Sequence, residues 1–196
     1  MNGPDQPATG PTGHRLRVAV VTGGGRGIGR ALALRLGRDG FAVAVSSRTP
    51  ADLNAVVREI EGCGGSALAV AADARDREGA RESVRAAVGR FGRADVIVNN
   101  VGGAAGGDHD PFTGTDEAFE NTVALSLTSA HWTTREALPQ MRDRGWGRVI
   151  NIGSGAARSS TPDGRLGYTA AKHGLAGDEG AGITGQVIGV DGGYGI

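Results

Sequence analysis

Two side chains in the last third of the chain could move a proton together. Tyr168 and Lys172 stand four residues apart, which on a helix places them one turn apart on one side. A free phenol ionises near pH ~10 and is a poor acid or base at neutral pH. An ammonium held beside it favours the phenolate and brings its ionisation toward working pH. A second set of residues could hold phosphates. The stretch T-G-G-G-R-G-I-G, residues 22–29, joins an apolar run to a helical pattern. Gly23 allows a tight turn, Gly27 lets main chain approach a pyrophosphate, and Gly29 lets a helix lie close on a strand. The start of that helix adds unpaired N–H groups and the positive end of its dipole.

These groups need a scaffold, and the periodicity supplies one. Leu16–Thr22 reads as a buried strand, and Gly27–Arg38 as a helix with Ile28, Ala31, Leu32 and Leu36 on one face. Strands follow at Phe41–Ser46, Ala67–Ala72, Ala94–Asn100 and Gly147–Gly153. Helices alternate with them at Ala51–Glu61, Arg77–Phe91 and Asp116–Arg142. A helix over Asp163–Ala176 carries Tyr168, and Ile183–Val190 reads as a last strand. Uninterrupted apolar strands alternating with helices predict an α/β fold with a doubly wound parallel sheet covered on both faces. Right-handed crossovers put the ligand crevice at the carboxyl ends of the strands.

Composition narrows the function classes. The chain has 196 residues, with 21 Lys plus Arg balancing 21 Asp plus Glu, so no basic surface for nucleic acid or anionic membrane is indicated. Cys63 is the single cysteine, which excludes an internal disulfide and favours a reducing cytoplasm. No apolar run approaches the ~20 residues of a membrane span. Residues 1–14 read as a mobile polar tail, and 15–196 as one domain. The 36 glycines cluster between apolar runs, where a backbone can approach a ligand. His14, His109, His131 and His173 are scattered, so no metal site is expected, and His109 with Asp110 reads as pocket rim.

Co-occurring motifs give the chain a family likeness. After Thr22 the glycines are spaced Gly-x-x-x-Gly-x-Gly, N-N-V-G occupies Asn99–Gly102, and Ser154 follows the fifth strand. Tyr168 and Lys172 form Tyr-x-x-x-Lys, and V-D-G-G closes the sequence at Val190–Gly193. In this order the motifs resemble the short-chain dehydrogenase/reductase family, Rossmann-like enzymes, and above all its 3-oxoacyl-carrier-protein reductases. The likeness implies hydride transfer between a nicotinamide and a carbonyl or secondary alcohol. In it Tyr168 acts as acid/base, Lys172 supports Tyr168 and the nicotinamide ribose, and Ser154 orients the substrate oxygen. Gly23, Gly25, Arg26, Gly27, Ile28 and Gly29 would line the cofactor, with Asp73 and Ala74 at the adenine and Asn100 beneath the adenosine ribose. Where relatives carry a helical Asn in a proton relay, alignment puts Ser126, which implies a weakened relay.

Cofactor choice can be read at the end of the second strand, V-S-S-R. NAD-using relatives often place an Asp there for the ribose 2′-hydroxyl. Ser47 takes that place, and Arg48 with Arg26 could grip a 2′-phosphate in forked pairs. NADP(H) is therefore expected over NAD(H).

After Lys172 the likeness breaks. Only residues 173–177 separate it from Asp178, where the resemblance resumes. Relatives insert several dozen residues there, which complete a strand and cover the substrate. The last strand could pair directly with the fifth, in the slot where relatives have their sixth, so we expect six strands ordered 3-2-1-4-5 with the last one outermost beside the fifth. Three functions stay open: an NADP(H)-dependent oxidoreductase, a shortened dinucleotide-binding homologue with little turnover, or a structural subunit that pairs with a complete homologue through the long helix. Apolar surface on helix 116–142 and on the last strand would favour a homo-oligomer.

Overall fold

A computed structural model describes residues 16–104, 112–157, 165–176 and 185–188. Strands β1 (Val18–Thr22), β2 (Ala42–Ser47), β3 (Ser66–Ala71), β4 (Val96–Asn99), β5 (Arg148–Ile152) and β6 (Gly185–Ile188) form one parallel sheet. Their order is β3-β2-β1-β4-β5-β6, as expected. β6 pairs with β5 in the register Val149↔Gly185 to Ile152↔Ile188. The last strand therefore takes the outer place beside the fifth.

Alternate residues of β1, β2, β4 and β5 feed two cores. Val18, Val20, Ala44, Ile97 and Val149 face Val84, Ala87 and Phe91 of α3 (Arg77–Phe91) and Ala137 and Met141 of α5 (Ser129–Asp143). Ala19, Val21, Val43, Val45, Val98 and Ile152 face α1 (Gly27–Arg38) and α2 (Pro50–Gly62) through Ala33, Leu34, Leu53, Val56 and Ile60. This two-residue alternation between layers is the strand period expressed as burial. On α1 the apolar face named from the periodicity is not the buried one. Ile28 is 45% exposed and Ala31 is exposed, whereas Gly29, Ala33 and Leu34 are buried. Close seating of Gly29 on the loop turns the helix so that Ile28 faces the cleft.

Helix boundaries follow local chemistry. Asp76 caps α3 by accepting from the Gly79 N–H at 2.8 Å, and Gly92 ends it in the left-handed conformation (φ 79°). Thr115 caps α4 (Asp116–Val123), accepting from the Ala118 N–H at 3.1 Å. The expected long helix 116–142 is not uniform. Between α4 and α5 lies one π-helical segment, Ala124–Thr128, a widening that often marks a functional position. α6 (Leu166–Ala176) packs against α4, this π segment and a short 3-10 turn at Gly155–Ala157.

Candidate functional site

The loop between β1 and α1 has the conformation its glycines suggested. Gly23 and Gly27 have φ of 66° and 55°, where a side chain would be strained. A Cβ on Gly29 would fall 2.3 Å from the Gly23 carbonyl oxygen and 2.5 Å from Asn100 Nδ2. A Cβ on Gly27 would meet nothing within 4 Å, so its surface is open. Arg26 is the N-cap of α1 and offers no side-chain acceptor to the helix, leaving the first N–H groups for another partner.

Around this loop lies a cleft of about 520 Å³ at the carboxyl ends of β1, β2, β3 and β4. Its wall brings together Gly23, Gly25, Arg26, Gly27, Ile28, Ser47, Arg48, Asp73, Ala74 and Asn100, all expected from the sequence. Gly29 lies buried behind the wall. Arg26 and Arg48 are exposed and join no ion pair among the described residues. Asp73 is engaged locally: its carboxylate accepts from Arg75 Nη2 at 2.7 Å and from the Arg75 N–H at 3.0 Å. The Arg75 hydrogen bond holds the Asp73 carboxyl below its usual range.

Asn100 acts on the loop itself. Its Nδ2 donates to the carbonyls of Thr22 at 3.0 Å and Gly23 at 3.3 Å. The Thr22 hydroxyl accepts from the N–H groups of Asn100 (3.1 Å) and Val101 (3.2 Å), and donates to Val98 O at 3.3 Å. Asn100 and Thr22 thus lock the phosphate loop to the end of β4. The sequence reading missed Thr22, although a hydroxyl closing a buried strand beside glycines was a usable signal.

The proton-transfer candidates sit beyond Gly102, which lines the same cleft. Lys172 is 3% exposed, and its Nζ donates to the Ile152 carbonyl at 2.8 Å. That Nζ lies 5.7 Å from the Tyr168 ring centroid, on the shared face the spacing predicted. Burial pushes the Lys172 ammonium down to about 8. A Cβ on Gly102 would come 3.0 Å from Lys172 Nζ and 3.6 Å from Ser126 Oγ, so all three share one corner. Ser154 Oγ accepts from the Ala156 N–H at 3.3 Å, at the 3-10 turn against which α6 packs.

Ser126, buried in the π segment, faces the β4 loop. Its Oγ accepts from the Gly103 N–H at 3.1 Å and donates to the Gly103 carbonyl at 3.2 Å. The hydroxyl thus both accepts from and donates to one residue. Ser126 thereby forms a clasp holding the loop against the π segment, in the corner it shares with Lys172. His109, Asp110 and Val190–Gly193 lie outside the described residues. Among the described residues no cluster of metal-ligating side chains occurs, and no helix is long and apolar enough to cross a membrane.

A sequence profile described as short chain dehydrogenase matches residues 17–177, the span that builds this cleft and the Tyr168–Lys172 face. The chain belongs to the short chain dehydrogenase family. Among similar proteins of this family is a 2,3-dihydroxy-2,3-dihydro-p-cumate dehydrogenase of Pseudomonas putida. It is 39% identical over 163 residues, which cover 82% of this chain and 61% of that protein. A D-beta-hydroxybutyrate dehydrogenase of Rhizobium meliloti is 33% identical over 163 residues, covering 82% and 62%. A metagenomic short-chain oxidoreductase solved with NADP superposes with a TM-score of 0.80 at 33% identity, covering 89% of this chain and 81% of that one. An actinorhodin polyketide ketoreductase variant solved with NADPH gives 0.76 at 34% identity, covering 83% and 62%. The chain spans about 60% of the length of the curated relatives it matches.

Proposed function

We propose that this short chain dehydrogenase is an NADP(H)-dependent oxidoreductase that interconverts a carbonyl and a secondary alcohol. Residues 15–196 would work as one dinucleotide-binding unit. The observation that carries the reading is the continuity of two features through one loop. The phosphate cleft reaches Gly102, where an added Cβ would stand 3.0 Å from Nζ of the lysine that shares a helix face with Tyr168.

The cleft fits a dinucleotide on its own terms. Its glycines present bare main chain, and α1 starts without a side-chain cap, so N–H groups are available to a pyrophosphate. Arg26 and Arg48 would hold a 2′-phosphate, while Ser47 leaves room where a carboxylate would repel it. The bound nicotinamide would supply or accept the hydride. Tyr168 would exchange the proton of the substrate oxygen. Lys172, still largely charged at neutral pH with its ionisation near about 8, would favour the phenolate. Ser154 would orient the substrate oxygen from the turn that faces α6. The solved relatives that carry NADP and NADPH support this choice of cofactor.

A second reading, dinucleotide binding with little turnover, is favoured by one observation. β6 follows α6 after residues 177–184 and takes the place beside β5 directly, which leaves little chain to cover the nicotinamide end. Titrating the purified chain with NADPH and NADH, then adding a panel of ketones, separates the two readings. Tight NADPH binding with ketone-dependent oxidation supports the enzyme. Binding without oxidation supports the second reading, and equal or better affinity for NADH removes the cofactor assignment. Apolar side chains exposed on α4 and α6, Phe119 and Leu166, favour a homo-oligomer, which light scattering would test.

A further inference from the structure

The corner of the cleft beside Ser47 holds a carboxylate as well as two guanidiniums. A Cβ on Gly25 would come 3.0 Å from Asp52 Cβ and 3.1 Å from Ser47 Oγ, so the phosphate loop, the end of β2 and the start of α2 meet there. Asp52 lines the same cleft as Arg26 and Arg48 and is exposed to it.

Asp52 is the third residue of α2, after the N-cap Thr49. An acidic side chain at that position commonly reaches back to the N–H of the cap residue. Here the Thr49 N–H donates to Ser47 Oγ at 3.4 Å instead. Among the described residues Asp52 joins no hydrogen bond or ion pair. Its carboxylate therefore has no local structural task beyond the general preference for negative charge at a helix start.

We propose that Asp52 is a specificity-determining residue that limits how strongly this cleft prefers a 2′-phosphorylated dinucleotide over the 2′-hydroxyl form. The inference rests on the reading of the cleft as a dinucleotide site. A phosphate monoester carries about −1.5 to −2 charge near pH ~7, and two cations attract it while the Asp52 carboxylate repels it. Asp73, the other acidic residue on this wall, is already paired with Arg75 and leaves Asp52 as the uncompensated anion. A ribose 2′-hydroxyl, by contrast, is a donor that a carboxylate can accept. Asp52 thus pulls the two cofactors in opposite directions.

Isothermal titration of the full chain with NADP+ and NAD+, without substrate, tests this on wild type, Asp52→Asn, Asp52→Ser and Arg48→Ala. Removing the carboxylate should raise the ratio of NADP+ to NAD+ affinity about three- to tenfold at low salt. The gain should shrink as salt screens it. Both Asp52 variants must shift the same way, with circular dichroism matching wild type. An unchanged or lowered ratio while Arg48→Ala weakens NADP+ overturns the role of Asp52 and leaves the 2′-phosphate reading standing. If Arg48→Ala also leaves NADP+ affinity intact, both fall together.

Discussion

The Nζ of Lys172 lies 5.7 Å from the centroid of the Tyr168 ring and donates to the Ile152 carbonyl at 2.8 Å. One buried ammonium is thereby fixed to the end of β5 and held over the phenol ring.

Burial of that ammonium makes folding stability depend on pH. Its ionisation is about 8 in the fold against 10.5 for an ordinary lysine. Between those values the unfolded chain binds more protons than the folded one, so stability rises with pH across this window. The rise should reach about 3 kcal/mol at most. Below pH 8 this group adds no further slope, because it is charged in both states. Urea unfolding of wild type at pH 7.5 and 10 should show the rise, and Lys172→Met should flatten it.

Gly102 should prove a positioning residue for Lys172. A Cβ there would stand 3.0 Å from Nζ and 3.4 Å from Cε, so an alanine must push the lysine away from Ile152 O. Gly102→Ala should lower turnover about tenfold. It should also move the alkaline limb of the rate profile upward, as the ammonium regains water. Dinucleotide affinity, measured separately because Gly102 lines the cleft, should fall much less.

The two loop glycines should fail in different ways. Gly29→Ala places a Cβ 2.3 Å from the Gly23 carbonyl oxygen, a backbone clash that costs about 1–3 kcal/mol or more in stability and displaces the loop. Gly27→Ala meets no neighbour but forces a side chain to φ 55°, at a cost of about 1–2 kcal/mol. Thermal melts should rank Gly29→Ala below Gly27→Ala, and both should lose dinucleotide affinity.

At the opposite end of the sheet, Asp95 is fully buried and binds Arg93 at 2.6 and 2.7 Å, Arg144 at 3.3 Å and the Val18 N–H at 2.9 Å. This ties β1, β4 and the end of α5 together. Asp95→Ala should lower unfolding free energy by about 2–4 kcal/mol, moderated because both arginines can reach water. Asp143→Ala breaks only an exposed pair with Arg142 and should change stability by less than about 0.5 kcal/mol. Urea midpoints of the two variants make the comparison.

Most of the scaffold was legible because strand alternation, helix periodicity and glycine position are local signals. The six-strand order, including the direct pairing of β6 with β5, followed from the family likeness together with the short stretch after Lys172. What stayed hidden depended on how elements seat against one another. The close approach of Gly29 rotates α1 and turns Ile28 outward, which periodicity alone could not show. The motif at Asn99–Gly102 was visible, but not that Asn100 and Thr22 lock the phosphate loop. Ser126 was recognised as a substitution in a helix, whereas its clasp on Gly103 needs the π segment and the β4 loop in one place. Asp52 lay unnoticed because its meaning arises where three segments converge.

The most direct test of the proposed chemistry pairs binding with turnover in Tyr168→Phe. This variant removes one oxygen and leaves Lys172 and the phosphate cleft in place. NADPH should bind it with affinity within about threefold of wild type, while ketone-dependent NADPH oxidation drops by about 10²–10⁴. Oxidation at the wild-type rate in Tyr168→Phe would contradict the assignment of the acid/base, and no NADPH binding by the wild-type chain would contradict the site itself.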